Sequence, residues 1–143
     1  MFWLDTGESL ELEELLEDGP VLLLFYLFDW SRTRTQELTL LRDRRTEFEQ
    51  AGVRPFGVSR DSHWSHRAWK EALGIDVSLI SDWNGALARH FGAARTWRWM
   101  EGVPARAAFL VDEDGTVLES WRYDDSEVPD FDVLLAAARE SQA

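Results

Sequence analysis

Two polar side chains stand three residues apart at the head of the segment SRTRTQEL, residues 31–38: the hydroxyl of Ser31, a hydrogen-bonding group, and the guanidinium of Arg34, a fixed cation. Ser31 has the form of a helix N-cap, whose oxygen accepts a backbone N–H of the first turn. Arg34 then falls inside that turn, where the helix dipole disfavours a cation. Turned outward, it would pair with Glu37, Asp29 or another surface acid; turned inward, it demands an acidic neighbour or a bound anion. Asp61, His63 and His66 form a second group, with the two histidines spaced for one helical face, as in some metal sites. No third strong ligand lies nearby in sequence, so this segment reads as a solvated helix start rather than a metal site. His90 reads as packing or surface, and Asp82 as part of a structural turn at a strand end. The chain contains no cysteine, which removes disulfides, thiolate metal sites and thiol nucleophiles together.

The elements that must position these residues follow from changes of hydrophobic period. SLELEELLEDGP reads as a short helical turn stopped at Gly19-Pro20, after an entry with a turn at Asp5-Thr6-Gly7. VLLLFYLF, residues 21–28, is apolar on both faces and predicts a central strand covered on each side. Leu38, Leu41 and Phe48 then mark one face of a helix from about Arg32 to Gln50. VRPFGVS is a strand, DSHWSHRAWKEALG a helix closed by Gly74, VSLIS a strand, and NGALARHFG a short helix ending at Gly92. AARTWRWMEGVP breaks the rhythm and reads as a loop or covering flap. RAAFLVDEDGTVLESWRY is a hairpin turning at Glu113-Asp114-Gly115, and a last helix runs from about Asp130 to Glu140. The acidic stretch YDDSEVPDFD reads as a solvated loop capping that helix. Trp83, Trp97 and Trp99 read as core or interface packing, the other reading being a rim around a pocket or a patch for a partner.

Composition bounds what such a chain can do. Its 143 residues, 45% apolar with eight Trp and eight Phe, suit one globular domain over residues 1–143. A net charge of -12 excludes a partner held mainly through phosphates, so no nucleic acid is expected. The longest apolar run is far too short to span a bilayer and no basic leader precedes it, so a cytoplasmic protein without a membrane partner is expected. No cofactor is expected.

The order of elements, and five strings within it, resemble the peroxiredoxin family of thiol peroxidases. LLLFYLF looks like the strand before that family's active site, ELTLLRDRRTEFEQAGV like its long first helix, and FGVSRDSHWSHRAWKEALG like the strand and helix that follow. LISDWNGALARHFG and RAAFLVDEDGTV are similar to two later stretches, the second matching the pattern R-x-x-F-x-x-D-x-x-G-x-V. The resemblance runs from about Leu10 onward. It implies an α/β thioredoxin-like (peroxiredoxin) fold, a central mixed β-sheet flanked by helices, and commonly a homodimer. It also implies reduction of hydrogen peroxide or organic hydroperoxides at a PxxxTxxC motif helped by a later Arg.

Anchored on Glu37-Leu38, the motif puts its Pro on Leu27, its Thr on Ser31, its peroxidatic Cys on Arg34 and its later Arg on Arg106. The hydroxyl and one guanidinium survive, but the nucleophile does not, and neither does the Pro that shapes the pocket in the family. A guanidinium stays protonated and cannot attack a peroxide, so the Cys-free chain is expected to be inactive as a thiol peroxidase. Arg34 is then either a natural loss or a replacement of Cys or selenocysteine. The alternative function is a pseudoenzyme that binds a small anion or a protein partner through Ser31, Arg34 and Arg106. A third reading is a purely structural dimerising domain.

Overall fold

The computed structural model describes residues 1–143. A seven-stranded mixed sheet is built around β3 (Val21–Phe25), which pairs parallel with β4 (Arg54–Ser59) and antiparallel with β8 (Ala107–Val111). β5 (Ser78–Ser81) continues the parallel side, and β9 (Val117–Arg122) forms the other edge as the hairpin partner of β8. Two short strands, β1 (Phe2–Leu4) and β2 (Ser9–Leu10), add an antiparallel margin next to β5, giving the order β2-β1-β5-β4-β3-β8-β9.

Every residue of β3 is at most 1% exposed, which is what its unbroken apolar run predicts for a strand covered on both faces. Leu22 and Leu24 join one core with α2 (Arg32–Gln50), α3 (His63–Leu73) and α5 (Phe131–Ser141). Val21, Leu23 and Phe25 face the opposite core, with α1 (Leu12–Leu16) and α4 (Ala86–His90). The expected α/β architecture, a central mixed sheet flanked by helices, is the observed one.

Two expectations change. The strand read over residues 21–28 stops at Phe25, where β8 runs out of partners at Ala107; Tyr26 still donates its N–H to Val58, and the chain then turns towards α2. The stretch read as a loop or flap holds a two-stranded hairpin, β6 (Ala94–Trp97) with β7 (Met100–Pro104). Its two turn residues, Arg98 and Trp99, have φ of 47° and 67°, the left-handed pair of a type I′ turn. Neither residue type advertises that conformation.

Candidate functional site

The parallel strands β3, β4 and β5 end on the same side of the sheet, and the segments following them build the site. Trp30 is in the left-handed region at φ 73°, a conformation unusual for a bulky residue, and it delivers the chain into α2. Ser31 then caps the helix: its Oγ accepts the backbone N–H of Arg34 at 3.2 Å. The cap is as expected, and Ser31 itself is exposed.

Arg34 does not turn outward. It is 5% exposed and its Nη1 donates to the backbone carbonyl of Asp125 at 2.9 Å. One turn along, Glu37 is 2% exposed, and Arg106, at the start of the β8–β9 hairpin, is 1% exposed. Arg106 Nη2 lies 2.8 Å from Glu37 Oε2 and donates to the Glu127 carbonyl at 2.6 Å. The contact with Glu37 is close but poorly aligned, since Oε2 receives no well-directed hydrogen bond. The acidic neighbour that an inward Arg34 calls for is Glu37, one turn along the same helix. Burial lowers the Arg34 guanidinium from its ordinary value, with Glu37 opposing the shift. Burial likewise pushes the Glu37 carboxyl up to about 8 against the pull of Arg34.

The carbonyls of Asp125 and Glu127 are functional groups that sequence reasoning missed. They belong to the acidic loop read as solvated, and no side-chain type signals a backbone carbonyl aimed inward. The capping half of that reading holds, because Asp130 accepts the N–H of Asp132 at the start of α5.

A second buried polar cluster sits beside the first. Asp29 Oδ2 lies 2.7 Å from His66 Nδ1 and accepts from the Ser65 hydroxyl at 2.9 Å, while Asp29 Oδ1 accepts from the Tyr26 hydroxyl at 2.6 Å. His66 Nε2 faces the Ile80 carbonyl at 3.0 Å. Asp61 takes the Asp29 N–H at 2.9 Å and the Ser59 hydroxyl at 2.7 Å. Burial, and then the neighbouring Asp29 charge, raise Asp61 from the usual carboxylate range; burial and Asp29 raise Tyr26 as well. Asp29 therefore pairs with His66 rather than with Arg34. Both ring nitrogens of His66 are committed, and His63 instead stacks on Trp64 with ring centroids 4.0 Å apart. The helical spacing of His66 and Trp69, both buried on one face, is the signal that would have placed His66 inside. His90 is at the surface against Phe91, and Asp82 holds the turn by accepting the N–H groups of Leu87 and Ala88 at 2.9 Å each.

A model of the AhpC/TSA family matches residues 3–120, most of the chain and all of the sheet up to β9. The chain belongs to the AhpC/TSA family. Its AhpC/TSA relatives include the bcp peroxiredoxin of Coxiella burnetii, 31% identical over 121 residues, covering 82% of this chain and 79% of that protein. Alkyl hydroperoxide reductase C of Escherichia coli K12 is 33% identical over 117 residues, covering 78% of this chain and 61% of the reductase. Less than two thirds of that reductase is therefore represented here. The crystal structure of peroxidoxin BcpB from Mycobacterium tuberculosis superposes with a TM-score of 0.84 at 29% identity, covering 97% of this chain and 90% of that one. The thioredoxin-like fold of the AhpC/TSA peroxiredoxins is thus present nearly end to end, in a chain without cysteine.

Proposed function

We propose that this chain is a catalytically silent peroxiredoxin, a pseudoenzyme in which Arg34 fills the place of the reactive thiol. One observation carries the reading: at the first turn of α2, where the family motif puts its thiolate, stands a buried guanidinium bonded to the Asp125 carbonyl at 2.9 Å. Peroxide reduction needs a nucleophile that attacks one oxygen, expels the other, and can then be reduced again. A guanidinium, protonated even with its value lowered by burial, does none of this. Ser31 spends its oxygen on the helix cap, and an alcohol lacks the redox chemistry of sulfur. The principal cavities of the molecule are lined by other residues. A single redoxin domain over residues 1–143, a cytoplasmic location and a homodimer belong to the same reading; no helix is long and apolar enough to cross a membrane. Purified protein mixed with hydrogen peroxide or an organic hydroperoxide and excess dithiothreitol is expected to consume no more peroxide than the protein-free blank. Turnover that scales with protein overturns the proposal.

One observation favours a binding role at the same place. Arg34 Nε, Arg106 Nε and Arg106 Nη1 are buried without a hydrogen-bond partner, and of the two guanidiniums only that of Arg106 contacts the Glu37 carboxyl. Orphaned donors of that charge are costly and suit a small oxyanion such as phosphate or sulfate. Millimolar sulfate is expected to raise the melting temperature above that in chloride of equal ionic strength, and Arg34→Met to abolish the difference. An equal shift in Arg34→Met, or none in the parent, excludes the anion.

A further inference from the structure

Trp3 of β1, Trp64 of α3 and Trp83 in the turn after β5 line one cavity of about 260 Å³, closed by His63, Ser62 and Ser81. None of these residues belongs to the Arg34 site. Trp64 is 69% and Trp83 57% exposed, an unusual outlay of indole surface for one region. The aromatic partner of Trp64 is His63, and neither Trp3 nor Trp83 stacks on another ring, so π surface remains available to a guest.

No charged side chain of either sign lines this cavity, so its walls are aromatic and hydroxyl surface. Arg60 lies in the adjoining cavity, where its guanidinium donates to the carbonyls of Trp83 and Glu101 at 3.1 and 2.8 Å. Asp61 lines that adjoining cavity too, across the wall made by Ser62 and Trp83, and Asp82 is buried next to Trp83 in the chain. The whole molecule carries a net charge of -12. At long range the net negative charge favours the approach of a cationic guest.

We propose that this cavity binds a small organic cation bearing a methylated ammonium group, held against the indole faces of Trp3, Trp64 and Trp83. The lining selects that chemistry. A metal ion or a primary ammonium needs several oxygen ligands, whereas a quaternary ammonium has no N–H to satisfy, sheds water readily and is attracted by the negative faces of aromatic rings. The volume lies just below the usual range of small-molecule pockets, enough for such a head group with a short tail.

Calorimetric titration of the parent chain with choline, at about pH 8 and above the ordinary histidine range, tests this. Choline is expected to bind one to one, and its neutral isostere 3,3-dimethyl-1-butanol at least about tenfold more weakly. Trp64→Leu and Trp83→Leu, which keep an apolar side chain but lose the π face, are each expected to weaken choline by roughly five- to tenfold. Trp99→Leu, 96% exposed in the β6–β7 turn and outside the cavity, should leave binding unchanged. No binding at tens of millimolar choline, or equal binding of the isostere, overturns the proposal. So does sedimentation showing a dimer that choline leaves intact and Trp64→Leu dissociates, since the face would then be an interface between copies.

Discussion

Glu37 is the residue on which the buried charges turn. It stands against Arg106 at 2.8 Å and within the field of Arg34, and burial raises its carboxyl to about 8. A group raised on folding holds its proton more tightly in the native state. Its contribution to stability is full below the ordinary glutamate value and is lost as pH rises through about 8. Asp61, also raised, acts with the same sign. The melting temperature is therefore expected to fall from about pH 5 to about pH 8, and the fall to be shallower in Glu37→Gln; identical slopes would show that Glu37 is not the source. At this scale the sequence was partly legible. The capping role of Ser31 and the need of Arg34 for an acid followed from residue types and the helix dipole. The carbonyls of Asp125 and Glu127 did not, because they reach the site through a loop 91 residues from Arg34, and main-chain oxygens leave no mark in sequence.

Among the elements, long periodic segments were the legible ones. The nineteen residues of α2 match the span read from Leu38, Leu41 and Phe48, since three buried turns on one face leave little freedom of assignment. The β6–β7 hairpin was missed because Arg98-Trp99 carries none of the Asn or Gly that favours a positive φ at both turn positions. The double substitution Arg98→Asn with Trp99→Gly is expected to stabilise the fold by about 1 kcal/mol, even after losing the stacking of Arg98 on Trp97. Chemical denaturation checks this, and a lower midpoint would contradict it. Strand β4 has the opposite constraint at Gly57, where an added Cβ would come within 2.8 Å of Leu79 Cδ2 and 3.2 Å of the Tyr26 ring. Gly57→Ala is expected to cost about 1–3 kcal/mol, read from the same denaturation midpoint, because Leu79 must move within a filled core. The margin strands β1 and β2 were not foreseen, for they are too short to show any period.

Taken whole, the molecule has the fold of the AhpC/TSA family in a chain without cysteine, and on the proposed reading Arg34 stands where the reactive thiol would be. The sheet order and the helices on both faces are those of the family. The motif as carried over keeps a hydroxyl at Ser31 and a guanidinium at Arg106, while Leu27 stands for its Pro and Arg34 for its Cys. This is why the fold was readable from patterning and resemblance together, while the proposed loss of activity rests on the absence of cysteine and the identity of residue 34. The most direct test of that account is the second-order rate of hydrogen peroxide consumption by Arg34→Cys beside the parent chain. The parent is expected to show none. The variant should react faster than free cysteine, because its thiol would stand in the first turn of a helix capped by Ser31, where the dipole favours the thiolate. A variant no faster than free cysteine, or a parent that itself consumes peroxide, would contradict the account.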